Sequence, residues 1–350
     1  MKPADQVFVG LPGPELDRVS AGLLAAHRPG GVILFKRNLV DEEQLNGLMT
    51  ALRRVLPEAV VAIDAEGGRV DRLKDVVAPA PAAAVLARRP ASSALQAGHW
   101  VAQSLRLFDI DVDFAPVVDL DRGLPGNALD ERYFGATPAA VIPRAQAFLR
   151  GLHTGGAGGC LKHFPGLGGA GEDTHLRMSA VYLPEEELRP DLEPFAALSR
   201  LAGAVMVGHA LYPAYDSSMR PATLSPVILG GLLRGRLGFE GLAFSDDMEM
   251  KALDEWGDLP ERCETAFASG CDVLLLCHTL EALPDIIDRL AHPSLEGRVA
   301  EANLRLDTYR QRLLTLRTAR EYVNFMRSSN QGERLERVRQ ALEQLGESVG

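Results

Sequence analysis

The chain has 350 residues, of which 46% are hydrophobic and 24% are charged, a balance typical of soluble globular proteins. Its formal net charge of −10 argues against a polyanionic ligand, so we expect no nucleic acid partner. No apolar run approaches the roughly 18–20 residues that cross a bilayer, so we expect no membrane partner.

Short apolar runs alternate along the chain with longer amphipathic stretches. The runs predict strands at 6–10, 31–35, 59–63, 111–118, 158–163, 203–208, 241–245 and 272–277. The stretches between them predict helices at 14–27, 41–55, 92–107, 137–153, 185–200, 225–236, 260–269 and 279–290. Because alternating strands and helices imply parallel pairing, these units predict an α/β fold with a single (β/α)8 TIM-type barrel.

The pattern changes near residue 292. Residues 294–327 look helical, and a polar run at 328–332 then interrupts them. Apolar residues at a spacing of three and four predict an amphipathic helix over 333–346. We therefore expect a barrel over 1–292 and a helical extension over 293–350 that packs on it, with a dimer contact as the alternative role of the last helix. We expect a monomer.

The cysteines and the first residues of the chain bear on its compartment. The four cysteines form no Cys-x-x-Cys pair, a pattern typical of reduced thiols. Residues 1–10 lack the apolar segment of a secretory signal. We expect a cytoplasmic protein.

Ionisable side chains follow most of the predicted strands. In a parallel barrel the carboxyl ends of all strands lie on one face, so we expect these side chains to meet in one site. The alternative is that strand ends are simply polar. The set comprises Asp64, Glu66, Asp119, Asp121, Lys162, His163, His209, Asp246, Asp247 and His278.

The glycine-rich segment 162–175 concentrates chemistry in a loop after the fifth strand. An aspartate that accepts a hydrogen bond from an imidazole fixes its tautomer and raises its basicity. Asp173 precedes His175 by two residues, and this pair predicts a proton-transfer histidine. Simple surface exposure of His175 is the alternative.

Two further segments carry candidate site residues. Residues 63–72 combine two acids, a glycine pair and two arginines, which suits either a ligand rich in hydroxyl groups or a salt-bridged turn. Residues 243–248 end the seventh strand with Asp246 and Asp247. An inward carboxylate there can be a nucleophile, a base or a metal ligand, while Asp247 also suits a helix N-cap.

These segments, read together, resemble family 3 glycoside hydrolases, in particular the β-N-acetylglucosaminidases of bacterial peptidoglycan recycling. The resemblance covers about residues 5–290. It rests on Lys162 to Gly166, Asp173 to His175, Ile63 to Arg72, Phe244 to Met248, Glu131 to Gly135, Val205 to His209 and Arg220 to Pro226.

The resemblance implies a retaining exo-β-N-acetylglucosaminidase acting on peptidoglycan fragments. Asp246 matches the nucleophile that forms a covalent glycosyl-enzyme, and His175 with Asp173 matches the acid/base dyad. The positions that match the sugar-holding residues are Asp64, Arg72, Arg132, Lys162 and His163. The resemblance also implies no metal and no organic cofactor, and a small carbohydrate as substrate. The aglycone, and the choice between water and phosphate as acceptor, stay open.

Three other functions compete with this interpretation. Lys162 at a strand end suits a Schiff-base aldolase or lyase. His163, His175, His209 and Asp246 suit a metal hydrolase, although closely spaced ligand pairs such as His-x-His do not occur. A sugar-binding or regulatory protein on the same scaffold is the third alternative.

Overall fold

The computed structural model describes residues 2–124, 129–170 and 179–347 of the chain. The strands are Val7–Gly10 (β1), Gly31–Leu34 (β2), Val60–Ile63 (β3), Ala65–Gly67 (β4), Val70–Asp71 (β5), Val112–Asp113 (β6), Gly158–Gly159 (β7), Leu161–Phe164 (β8), Ala204–Val207 (β9), Leu242–Asp247 (β10) and Val273–Leu276 (β11). The α-helices are Arg18–His27 (α1), Glu42–Val55 (α2), Ala83–Ala87 (α3), Ala91–Leu107 (α4), Pro138–Thr154 (α5), Glu185–Ala202 (α6), Leu259–Ser269 (α7), Leu283–Leu290 (α8), Glu296–Leu316 (α9), Arg320–Ser328 (α10) and Gln331–Glu347 (α11).

The strands form a parallel barrel, as the alternating pattern predicts. Hydrogen-bonded neighbours follow the order β7, β6, β3, β2, β1, β11, β10, β9, β8. Because β7 and β8 are separated only by Cys160, the chain itself joins the two ends of this order. With 158–164 counted as one strand, the described residues build an eight-stranded barrel, and the predicted (β/α)8 fold is confirmed.

Side-chain alternation along the strands separates two apolar cores. Phe8 points into the barrel, whereas Val7 and Val9 pack outward against the helices. Inside the barrel, the Phe244 ring makes edge contacts with Phe8 and Phe114, at centroid distances of 5.4 Å and 5.3 Å. The interior is therefore a packed core, so the space for a ligand lies at an end of the barrel.

The fourth strand is less regular than its apolar run predicts. The run covers 111–118, but only Val112–Asp113 forms a regular ladder. Pro116 has no N–H to donate, so the ladder cannot continue through it. Pairing with the fifth strand resumes beyond the proline, where the Val118 amide donates to the Lys162 carbonyl at 2.9 Å.

Several helices begin at an aspartate whose side chain caps the first turn. Asp17 accepts from the amides of Val19 and Ser20, and Asp41 accepts from that of Gln44. The predicted helix at 225–236 differs, because Val227–Arg236 is a π-helical segment. These helices surround the barrel and leave its carboxyl-end face to the loops.

The C-terminal helices pack on two different surfaces. Helix α9 places Leu306, Tyr309 and Leu313 in the interior cluster at the amino-terminal end of the barrel. Helix α11 packs on α4, and its residues Leu335 and Val338 are buried. The division at residue 292 stays a prediction. None of the helices in the described ranges combines the length and the apolar character needed to traverse a bilayer.

Candidate active site

A cavity of about 240 Å³ lies at the carboxyl ends of the barrel strands. This is the face on which barrels of this type carry their active sites. The lining side chains are Ile33, Phe35, Asp64, Glu66, Val70, Arg72, Phe114, Arg132, Lys162, His163, Met206, Asp246, Asp247, Leu275, Cys277 and His278. All the sugar-holding residues that the resemblance implies are therefore in one place, together with Asp246.

A cluster of two carboxylates and two cations forms one wall of the cavity. Lys162 Nζ lies 2.7 Å from Asp64 Oδ1 and 2.6 Å from Glu66 Oε1. Arg132 binds the same Glu66 carboxylate in a bidentate pair, at 2.7 Å through Nε and 2.8 Å through Nη2. Arg72 is more loosely held, with Nη2 at 3.8 Å from Asp64. The cluster thus presents both donors and acceptors to a polyhydroxylated ligand.

The charges of this cluster stabilise each other's ionised forms. Burial opposes the ionisation of Glu66, but Arg132 and Lys162 outweigh it and lower the pKa of Glu66 to about 2. Burial likewise opposes a charged Lys162, but Asp64 and Glu66 raise its pKa above the ordinary value. Lys162 is therefore an ammonium group at neutral pH.

His163 lies beside the cluster in an orientation set by Asp119. The Asp119 carboxylate accepts from His163 Nδ1 at 2.8 Å and from the His163 amide at 3.1 Å. It also accepts from the Leu167 amide at 2.7 Å, which anchors the start of the loop that follows β8. The Nδ1 contact with Asp119 fixes the orientation of the His163 ring, and the residue lines the cavity.

Asp246 and Asp247 form the opposite part of the cavity, at the end of β10. The Asp247 amide donates to Asp246 Oδ1 at 2.8 Å. Behind them, His209 Nε2 lies 2.8 Å from the Asp247 carbonyl oxygen, and Nδ1 lies 2.7 Å from the Thr223 hydroxyl. His209 therefore supports the backbone that carries the two acids. Burial and the nearby charges of Glu249 and Asp246 raise the pKa of Asp247.

An aromatic pair borders the cavity on the side of β2 and β11. The rings of Phe35 and His278 stack with centroids 6.0 Å apart, and the Arg37 guanidinium lies 4.5 Å from the Phe35 centroid. His278 Nε2 lies 3.4 Å from Asp247 Oδ2. The rim thus offers an apolar ring face beside charged groups.

The structure places the predicted strand-end residues in three groups. Most line the cavity, while Asp119 and His209 lie behind it as supports. Asp121 instead accepts from the Gly123 amide in a turn. The predicted dyad, Asp173 and His175, lies outside the described residues.

The role of Glu66 and the presence of Phe35 go beyond the sequence prediction. The sequence predicts that Glu66 reaches the site, but its link between Lys162 and Arg132 depends on contacts far apart in sequence. Phe35 ends an apolar run, and its residue type alone does not separate it from a core residue. A ring just past a strand end is the one signal that favours a place at the cavity.

The competing chemistries fit this geometry poorly. A Schiff-base enzyme needs a neutral lysine amine, whereas Lys162 is held as an ammonium group between two carboxylates. In the described part of the chain, no group of three or more histidine, cysteine or acidic side chains is arranged to hold a metal ion. Both ring nitrogens of His209 already have partners in the protein.

Comparison with known families decides between the interpretations. Residues 6–316 match the model of the glycosyl hydrolase family 3 N-terminal domain. The chain belongs to this family. It is therefore a glycoside hydrolase, and the resemblance that its motifs predict is confirmed.

Individual proteins are similar to this chain over most of its length. The β-hexosaminidase of Alkalilimnicola ehrlichii is 39% identical over 300 residues, which span 82% of this chain and 84% of that protein. NagZ from Neisseria gonorrhoeae, solved with N-trifluoroacetyl-D-glucosamine, is 31% identical with a TM-score of 0.79, covering 97% of this chain and 99% of NagZ. A family 3 β-N-acetylglucosaminidase from Paenibacillus sp. FPU-7 is 30% identical with a TM-score of 0.84, covering 96% of this chain and 67% of that one.

Proposed function

We propose that the protein is a retaining exo-β-N-acetylglucosaminidase that removes terminal N-acetylglucosamine from peptidoglycan fragments. The observation that carries this proposal is the joint presence of Asp246 and the Lys162–Asp64–Glu66–Arg132 cluster in one cavity. The solved relative that holds an N-acylated glucosamine supports the sugar, and the relatives named β-hexosaminidase support the reaction.

The size of the cavity supports attack at a chain end. Ligand pockets usually enclose about 300–1,000 Å³. At about 240 Å³, this cavity suits a single sugar ring rather than an extended stretch of polymer. The terminal sugar would enter, and the rest of the substrate would lie outside.

In this proposal the hydroxyl groups of the sugar bind the charged cluster and His163. Lys162, Arg72 and Arg132 are the donors, and Asp64 is an acceptor that Lys162 already holds in place. Each such contact fixes the ring relative to Asp246 and thereby reduces the entropy cost of reaching the transition state.

The proposed reaction has two steps. Asp246 attacks the anomeric carbon while His175, oriented by Asp173, donates a proton to the leaving oxygen, so the glycosidic bond breaks as the bond to Asp246 forms. His175 then removes a proton from water, which attacks the same carbon and releases the sugar and Asp246. Two displacements leave the configuration at that carbon unchanged.

The test is release of 4-nitrophenol from its β-N-acetylglucosaminide. We expect the wild type to be active, Asp246→Ala to lose about 10³-fold or more of kcat, and His175→Ala to lose about 10²–10⁴-fold. Proton NMR of the first sugar product should show the β anomer, because the mechanism retains configuration.

A matched control replaces a carboxylate outside the cavity. Asp75 pairs with Lys36 on the surface, and Asp75→Asn should keep wild-type kcat and KM. An active wild type whose Asp246 and His175 variants keep full activity would falsify the assignment, and an α anomer as first product would contradict the double displacement.

The natural substrate needs a separate experiment. A muropeptide digest, analysed by mass spectrometry with and without inorganic phosphate, should release N-acetylglucosamine in the absence of phosphate. Activity on chitin fragments but not on muropeptides would overturn the proposed substrate. Formation of the sugar 1-phosphate would identify phosphate as the acceptor in place of water.

A further inference from the structure

Asp113 is a buried carboxyl group for which the proposed reaction has no direct use. It lies on β6 between Val112 and Phe114, both of which point into the barrel. Because side chains alternate along a strand, Asp113 points the other way, toward the hairpin formed by β4 and β5, and it is 0% exposed. A carboxyl group buried this completely needs a role that offsets the cost of burial.

Asp113 contacts the backbone at the point where β3 ends and the chain leaves the barrel. Ile63 pairs with Asp113 in the ladder, and the Phe114 amide donates to the Ile63 carbonyl at 2.8 Å. Beyond Ile63 the chain turns away into the hairpin. The amide of Ala65 then donates to Asp113 Oδ1 at 2.9 Å, so the side chain supplies the acceptor at this turn.

Ala65 lies between the two carboxylates that hold Lys162. Asp64 precedes it, Glu66 follows it, and their oxygens lie 2.7 Å and 2.6 Å from Lys162 Nζ. A backbone anchor at Ala65 therefore limits the movement of both acids. We propose that Asp113 is a positioning residue of the sugar-binding cluster, which acts by anchoring the Ala65 amide.

The surroundings of Asp113 oppose its ionisation, while its Oδ1 acts as a hydrogen-bond acceptor. Burial, together with the nearby charges of Asp64 and Glu66, raises its pKa well above the ordinary value, against the effects of the Ala65 amide and Lys162. Its Oδ2 is buried and has no hydrogen-bond partner within the described ranges. Asparagine keeps the shape and the acceptor of a neutral carboxyl group.

The kinetic test of this inference rests on the proposed function, whereas its crystallographic test rests on the geometry alone. With the nitrophenyl β-N-acetylglucosaminide, Asp113→Ala and Asp113→Leu should raise KM about tenfold, with a smaller change in kcat, because the acceptor is lost. Asp113→Asn should restore the wild-type KM. The leucine side chain fills the space that Asp113→Ala leaves empty, so Asp113→Leu still gives a result if the alanine variant does not fold.

A control separates positioning from general loss of stability. Asp216 is also buried and accepts from the Ser218 amide at 2.9 Å, but it does not line the cavity. Asp216→Ala should lower the melting temperature while leaving KM unchanged. A KM increase in this variant equal to that of Asp113→Ala would overturn the proposal.

Crystal structures of the Asp113 variants give an answer that does not depend on turnover. We expect at least one of the two Lys162 contacts to exceed 3.5 Å in the alanine or leucine variant and both to persist in the asparagine variant. Unchanged Lys162 contacts in the absence of the acceptor would overturn the proposal. An inactive wild type would defeat only the proposed function, since these structures still decide the role of Asp113.

Discussion

Glu66 joins the two cations of the site, because its carboxylate accepts from Lys162 and, in a bidentate pair, from Arg132. Its neighbour Asp64 holds Lys162 from the other side. The sequence motif predicts that Asp64, Lys162 and Arg132 bind the ligand, but it does not show that a second acid organises them. This is because Lys162 is 96 residues from Glu66 along the chain and meets it only when the barrel closes.

Glu66→Gln tests this link at the level of one residue. Breaking a buried ion pair on one side costs about 3–5 kcal/mol, so we expect a loss of that order in the free energy of unfolding at pH 7. The folded pKa of about 2 lies below the ordinary value of 4.5. The contribution of the charge is therefore complete above pH 4.5 and shrinks as the pH falls toward 2.

Urea unfolding at pH 7 and at pH 3.5 measures this dependence. The difference between wild type and Glu66→Gln should be smaller at pH 3.5, and KM for the aryl glycoside should rise in the variant. Asp75→Asn, at the exposed Lys36 pair, should show neither effect. A stability difference that does not change with pH would contradict an ionised Glu66.

Two buried aspartates fasten helix α9 across the amino-terminal end of the barrel. Asp272, before β11, pairs with Arg298 and Arg305 of α9 at 2.6 Å and 3.0 Å. Asp111, before β6, contacts Arg317 just beyond the other end of α9. Since β6 and β11 are diametrically opposite in the strand order, the helix is tied at both sides of the barrel.

Breaking either tie should destabilise the fold without changing the chemistry. Asp272 also pairs with Arg234, so Asp272→Asn leaves three arginines around an uncharged side chain. We expect this substitution to cost about 3–5 kcal/mol in urea unfolding. The site lies at the other end of the barrel, so kcat/KM should be unchanged at temperatures where the variant is folded. Asp307→Asn, at an exposed pair with Arg310, is the control and should leave the unfolding midpoint unchanged. Wild-type stability in Asp272→Asn would show that the ion pairs do not secure α9.

At the scale of the whole molecule, the last helix uses its apolar face within its own chain. Leu335, Val338 and Leu342 are each at most 1% exposed, and α11 packs on α4. A dimer contact through α11, the alternative that the sequence leaves open, would need the same apolar face. We therefore keep the prediction of a monomer, because the face that suggested a dimer is already covered.

Light scattering after size-exclusion chromatography tests this prediction. We expect the mass of one chain at all concentrations. Val338→Asp should lower the urea midpoint and leave the mass unchanged, since a buried charge without a partner disrupts the α4–α11 contact. A mass of two chains that Val338→Asp reduces to one would instead place the helix in a dimer interface.

Periodicity was enough to predict the barrel and most element positions, and the family resemblance of the motifs implied the residues from Asp64 to Asp246 that line the cavity. Those signals are local: an apolar run, a cap or a short motif lies within a few residues of sequence. The roles of Glu66, Asp113 and Asp119 arise from contacts between strands, with Asp113 reaching Ala65 and Asp119 reaching His163. Burial and neighbouring charges shift the pKa of Glu66 downward and that of Asp113 upward, and both influences exist only when the barrel has closed. Sequence thus predicted which side chains meet at the cavity, and the folded chain determined which of them hold the others in place.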